Sequence, residues 1–333
     1  MRIVPILYGL LGSGWATVAL IDIKKCTRQV VRKEFRDMNT TDWNRFKDAL
    51  LTLQTTPSPN TNYTEWDDWT RIHIDNMHLA HGSNLFFPWH RAYVLALENR
   101  LQQIDASIAI PFWDWTFDWA IPLNSPIFSP EYGLDVKPGP SGDCRYRRRL
   151  YEPHCLVRDY NASEVTPYFP PESVSAVISS ERNYTSFREL IEMVPHGLVH
   201  TSLGGATGDM SEMNSPNDPI FFLHHSMVDY IWWIWQQTTG GRMEEYGGDK
   251  NQILEPFGVT VSNVMDVSKL CYTYQPFSRN YALIPSATKL RTRRRVRNVR
   301  IWKVSQSWLE MNHISLERLQ QIVDRFNRLS GRR

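Results

Sequence analysis

The sequence predicts a mainly α-helical fold: a helical bundle with long irregular loops and a few short strands. Three observations point there. Apolar residues recur three and four positions apart, the spacing that gathers them on one helical face. Stretches rich in Pro, Gly and Asn separate those runs, with no internal repeat and no long low-complexity linker. The 333 residues are 42% hydrophobic and 12% aromatic, enough to fill a core and to exclude disorder throughout.

Taken in order, residues 1–20 (MRIVPILYGLLGSGWATVAL) set one positive charge before an apolar stretch that contains small residues, and are expected to be a signal peptide. Pro5 and the polar interruptions make them a poor membrane helix, and no other run is long enough for a stable span. Four N-x-S/T sequons (Asn39, Asn62, Asn161, Asn183) agree with a secreted or secretory-lumen location. Cys26, Cys144, Cys155 and Cys271 allow three disulfide connectivities. The expected one joins Cys144 to Cys155 across an Arg/Gly/Pro-rich loop and Cys26 to Cys271.

Residues 41–54 place Trp43, Phe46, Leu50 and Leu53 at helical spacing behind a capping Thr-Asp. A Pro/Asn/Thr stretch at 55–64 breaks the chain, and a second helix is expected from Glu65 to about Leu79. A third is expected from Trp89 to Ile104, after the turn Gly82-Ser83-Asn84 and Pro88. Residues 120–180 look like long surface loops with a little strand. Helices resume at Tyr184–Met193, Gly197–Leu203 and Pro219–Gln237, and an amphipathic helix is expected at 314–329.

The net charge of +2 hides a split. Lys289 to Arg333 carries 13 basic residues against 3 acidic ones, whereas the first 288 residues carry 24 against 32. An acidic body repels phosphate, so no nucleic-acid partner is expected. Residues 285–333 form a basic tail, expected to be solvated, and within its RTRRRVRNVR run (291–300) Arg-Thr-Arg-Arg suggests a processing site.

The histidines carry the chemistry. Eight of ten fall into two groups: His73, His78, His81 and His90, then His196, His200, His224 and His225. His196 and His200 are four apart and share a helical face. His225 and Asp229 share another, where the carboxylate is expected to accept the second ring N–H of His225. His81 and His90 are nine apart, about 180° around a helix, so Gly82 and Pro88 must break the helix between them. Each group can offer three imidazoles, a donor set suited to copper or zinc rather than calcium or magnesium.

HGSNLFFPWHRAYVLALENRL (81–101), PHGLVH (195–200) and NDPIFFLHHSMVDYIW (217–232) resemble the two copper-binding segments of the tyrosinase/catechol oxidase (polyphenol oxidase) family, the type-3 copper proteins. The likeness runs over residues 28–275. It includes VRKEFRDM (31–38), IPFWDWTFD (110–118) and CYTYQ (271–275), the last similar to the tyrosine-x-tyrosine motif that closes the family's core. The resemblance implies two copper ions with O2 as co-substrate and small phenols or catechols as substrates. One copper would be held by His73, His81 and His90, with His78 as the competitor for His73. The other would be held by His196, His200 and His225, leaving His224 beside the ligands. The implied reaction oxidises o-diphenols to o-quinones, with hydroxylation of monophenols as an extension. The alternative is a haemocyanin-like carrier that binds O2 without turnover.

Two departures stand out. Many relatives bond a cysteine to a first-site histidine, but Met77 and Leu79 occupy the corresponding positions here. Gly197 follows His196 where many strong monophenol hydroxylases have Asn. Glu192 does match a glutamate that some relatives use to orient a water.

Overall fold

A computed structural model describes residues 21, 28–59, 61–132, 143–148, 154–160, 165–238, 242–275 and 304–330; the side chains of 143–148 and of residue 154 are not among the described ones. The expected signal peptide, the Asn161 sequon and the 291–300 basic run lie outside the described residues. Cys155 and Cys271 are both disulfide-bonded, but the side chains of Cys26 and Cys144 lie outside the described residues, and the expected pairing with them.

The elements in chain order are β1 (Val30–Arg32), α1 (Thr40–Thr55), α2 (Glu65–Asp75), α3 (Met77–Ala80), α4 (Phe86–Ile104), β2 (Asp143–Arg148), β3 (His154–Leu156), α5 (Pro171–Ser180) and α6 (Tyr184–Ile191). They continue with α7 (Gly197–Gly204), α8 (Ile220–Gln237), β4 (Ile253–Leu254), β5 (Val259–Thr260), α9 (Val261–Val264), β6 (Tyr272–Tyr274), α10 (Gln306–Met311) and α11 (Leu316–Leu329). Helices dominate, and the described strands form three two-stranded pairs.

Helix α4 packs on α8 at the centre of the molecule. Trp66 of α2 meets Phe222 of α8 at 5.5 Å, and Phe187 of α6 stacks on Trp235 of α8 at 4.7 Å. The Tyr93 hydroxyl on α4 donates to the Trp69 carbonyl on α2 at 2.6 Å. These buried aromatic contacts set α2, α4, α6 and α8 around one interior. Parallel pairing of β1 with β6 ties the start of the core to the Tyr-x-Tyr segment.

Several boundaries differ from those read in the sequence. Helix α2 stops at Asp75 because the Asn76 side chain bonds back to the Ile72 carbonyl at 2.9 Å, competing with the helical ladder. Helix α4 begins at Phe86, since Pro88 sits in the first turn, where its missing N–H costs nothing. Helices α6 and α7 run into one another through a wide π-turn at Glu192–His196 that accommodates Pro195. Residues 120–180 are not all surface loop: α5 packs there, and Ile127, Leu156, Tyr168 and Phe169 are fully buried. Two sequon asparagines, Asn39 and Asn183, cap α1 and α6 by accepting from the N–H of Asp42 and Ser186.

The described part of the basic tail is packed helix and not a solvated extension. Leu319, Ile322, Val323 and Phe326 of α11 are buried against α5 and α6. Arg318 pairs with Glu189 at 2.7 Å and Arg325 with Glu181 at 2.8 Å.

Candidate metal centre

His73 comes from α2, His81 from the end of α3, and His90 from the second turn of α4. Their ring centroids lie 5.0–5.7 Å apart. His196 ends the π-turn, His200 lies on α7 and His225 on α8, with centroids 4.5–5.5 Å apart. The two sets face each other, for His90 stacks on His225 at 4.2 Å. His78, the competitor for His73, is exposed and outside both sets.

Five of the six rings are oriented by one device, a ring N–H donated to a main-chain carbonyl. The Nδ1 of His73 donates to Met213 O (2.8 Å), of His81 to Met77 O (3.2 Å) and of His90 to Phe86 O (2.8 Å). His196 donates to Glu192 O (2.9 Å) and His200 to Met210 O (2.8 Å). A proton fixed on Nδ1 leaves the Nε2 lone pair free and aimed inward. The Nε2 atoms of His73, His90 and His196 are buried without a hydrogen-bond partner. His200 Nε2 and His225 Nε2 approach to 3.3 Å. Buried polar atoms left unpaired are costly, and a cation between converging lone pairs would satisfy them.

Burial keeps these imidazoles neutral. It lowers His81 to about 3 and His200 to about 4, and pushes His73, His90, His196 and His225 well below the usual histidine value. Neutral imidazole is the ligating form. Phe86, 4.9 Å from both His90 and His196, and Phe221, 5.1 Å from His73 and 4.2 Å from His225, enclose the sets.

Asp229 does not meet His225. Its carboxylate takes Arg91 Nε at 2.5 Å, Arg32 Nη1 at 3.3 Å, and the Tyr272 and Tyr274 hydroxyls at 2.6 Å each. Two cations and two phenols hold the carboxylate on the β1/β6 side of α8, while His225 Nδ1 has no partner. The helical spacing was right, but it leaves open which neighbour the carboxylate turns to. Burial alone would raise Asp229, yet Arg91 and Arg32 outweigh it and hold the carboxyl below its ordinary value.

His224 is fully buried, stacks on His196 at 5.2 Å, and has neither ring nitrogen hydrogen-bonded. It shares a potential ligand group with His196, His200 and His225. Glu192 is also fully buried: one oxygen accepts the Gly82 N–H at 2.7 Å, the other Arg188 Nη1 at 2.6 Å. It thereby joins the backbone beside His81 to the turn that carries His196.

Sequence reasoning missed the buried Arg32 and Arg91, and also Trp308, Met311 and Asn312, which line the mouth of the site from the C-terminal segment. Arg91, inside an apolar helix and next to His90, was a readable signal. Trp308 gave none, because nothing in its local pattern points toward residues over 100 positions away.

Two facing sets of buried, neutral, pre-oriented imidazoles on a helical bundle define a protein that holds a pair of metal ions close together, and the donor set suits dinuclear copper. Residues 63–238, more than half of the chain, match the sequence profile described as the common central domain of tyrosinase. The chain belongs to the tyrosinase family. It is 28% identical to the tyrosinase ustQ of Aspergillus flavus over 81% of this chain and 85% of that protein. It is 29% identical to a Streptomyces antibioticus tyrosinase over 69% of this chain and 93% of that one. The fold is that of a polyphenol oxidase from Thermothelomyces thermophila (TM-score 0.62, 20% identity, 74% of this chain and 89% of that one). An octopus haemocyanin functional unit is also similar (TM-score 0.53, 20% identity, 74% and 68% coverage).

Proposed function

We propose that this chain is a secreted dicopper oxidase that uses O2 to oxidise o-diphenols to o-quinones. The observation that carries the reading is the convergence of Nε2 atoms from two facing histidine sets while main-chain carbonyls hold Nδ1. In this reading His73, His81 and His90 hold one copper, and His196, His200 and His225 hold the other. Bound copper supplies the redox chemistry, carrying electrons so that two diphenols and one O2 give two o-quinones and two waters.

The chain's own residues prepare that chemistry. The Nδ1–H donations fix five of the six rings before a metal arrives, and Phe86 and Phe221 pack against the ligand rings and help exclude water. Glu192 is the residue assigned to orient a water as proton acceptor. Both its oxygens already hold protein donors, and Gly197 adds no side-chain acceptor beside it, so diphenol oxidation is favoured over monophenol hydroxylation. Relatives named tyrosinase support the oxidase class. Secretion is supported by the apolar leader, the sequons and the disulfide-bonded Cys155 and Cys271. When the full chain is expressed in a eukaryotic host it should be recovered from the medium with a mobility that an N-glycosidase shifts; retention inside the cells with unshifted mobility would argue against secretion.

One observation favours a second reading, a reversible O2 carrier: the free space over the ligands is only about 20 Å³. The test is elemental analysis with catechol turnover. Two coppers per chain and o-quinone formation are expected in the wild type. His200→Ala and His225→Ala should each lose one copper and all turnover, whereas His224→Ala should keep both coppers. Full activity in either of the first two variants would sink the ligand assignment; copper binding without catechol turnover would select the carrier. Tyramine assayed beside dopamine decides hydroxylation.

A further inference from the structure

The five main-chain carbonyls that hold the rings of the metal centre are of two kinds. Met77, Phe86 and Glu192 each stand four residues before the histidine they hold, so one turn of chain sets both donor and acceptor. The other two come from elsewhere. His73 on α2 donates to Met213 O and His200 on α7 to Met210 O, each at 2.8 Å. Both carbonyls belong to the segment between α7 and α8, so a single stretch of chain orients one ring of each set.

That segment carries only isolated 3-10 turns, Asp209–Ser211 and Ser215–Asn217, too short to fix the two carbonyls by a ladder of their own. Cross-links hold it instead, and they meet at Asp209. Its Oδ2 accepts the Val157 N–H at 2.7 Å, while its Oδ1 accepts Asn217 Nδ2 at 2.7 Å and Asn214 Nδ2 at 3.1 Å. The Asp209 N–H donates to the Val157 carbonyl at 2.9 Å. Asn217 Oδ1 in turn accepts the hydroxyl of Thr70, one turn before His73 on α2, at 2.8 Å. The carboxylate thus closes the segment across its base, pins it to the chain leaving β3, and reaches α2 through Asn217. Asp209, Asn217 and Thr70 are all buried, where water does not readily replace a lost partner.

We propose that Asp209 is a positioning residue shared by both histidine sets, holding His73 and His200 in place through the Met213 and Met210 carbonyls. Its effect on copper rests on the ligand assignment above, whereas its effect on the rings stands without any metal. Asp209 touches no reacting atom.

Acceptor and donor can be exchanged between positions 209 and 217, which supplies the test. Asp209→Asn sets amide N–H groups against those of Asn214 and Asn217, and Asn217→Asp sets carboxylate against carboxylate. In the double variant the amide at position 209 accepts from Val157 and donates to the carboxylate at 217, which still takes Thr70; only the longer Asn214 contact stays lost. Ring N–H signals are followed by NMR in the metal-free full-length protein carrying isotope-labelled histidine, and copper affinity is measured separately by competition with EDTA.

Each single variant should lose or broaden the Nδ1–H signals of His73 and His200 and keep those of His81, His90 and His196. Copper affinity should fall by about 10–100-fold, the usual effect of removing a ligand's outer partner, and at both positions together. The double variant should recover both signals and most of the affinity, because the two sites are coupled through one hydrogen bond. Five unchanged signals, or five lost alike, in the folded single variants would overturn the proposal, as would a fall in affinity at one position only or a double variant no better than the singles. Should one single variant fail to fold, the other and the double carry the same comparison. If no form binds copper the ligand assignment fails, and the ring signals still decide the role of Asp209.

Discussion

At the scale of single residues, the centre is held by groups that never touch it. Asp229 gathers Arg32, Arg91, Tyr272 and Tyr274 behind His225, and Arg32 binds Glu98 through two contacts of 3.0 and 3.1 Å. Replacing the carboxylate leaves buried Arg91 without the carboxylate it pairs with, while Arg32 keeps Glu98; breaking a buried pair typically costs about 3–5 kcal/mol. Asp229→Ala is therefore expected to lower the unfolding free energy by that amount, read as a lower denaturant midpoint at unchanged m. Tyr272→Phe, which removes one hydrogen bond to a charged acceptor, should cost about 1.5–3 kcal/mol. Equal costs for the two variants, measured by chemical denaturation of the metal-free protein, would refute this ranking. The same cluster marks where the sequence stopped being legible. Spacing placed Asp229 on the face of His225, and the Tyr-x-Tyr motif was visible, but a side chain's choice among partners depends on strands brought together from residues 30 and 272.

At the scale of elements, the amphipathic helices α1 and α11 were readable because their apolar period reports burial directly, whereas α4 and α8 are buried on nearly every face. The short devices were not. Asn76 ends α2 through its own side chain, and Pro195 is carried by a widened turn that no periodicity announces. That turn matters to the centre, since it places the Glu192 carbonyl on His196 Nδ1. Helix α11 gives the sharpest test at this scale. Phe326 is fully buried and meets Phe169 at 4.6 Å. Phe326→Ala should cost about 3–5 kcal/mol, drawn first from local opening of the C-terminal pair. Amide exchange should accelerate across α10 and α11 while α4 and α8 keep their protection. Uniform acceleration across all four helices would show that the pair is no separate unit.

For the whole molecule, two buried histidine sets without metal make stability depend on pH, and the direction follows from burial. These imidazoles are neutral when folded, with His200 lowered to about 4 and His81 to about 3, whereas in the unfolded chain they titrate near 6.5. Above that unfolded value both states are neutral and stability is complete. As pH falls, the unfolded state binds protons first, so stability drops from about 6.5 down to about 4 for His200 and about 3 for His81. Each histidine in its window contributes a slope of about 1.4 kcal/mol per pH unit. The metal-free protein is thus expected to lose melting temperature steeply between pH 6.5 and 4.5. Copper competes with protons for the same Nε2 atoms and binds only the neutral rings, so loading should raise Tm at neutral pH and the gain should shrink as pH falls. Calorimetric scans of both forms across that range check the sign. A metal-free Tm that held flat or rose on acidification would mean that the rings are charged in the folded state, and the centre would then lack the free lone pairs that make it a site for metal at all.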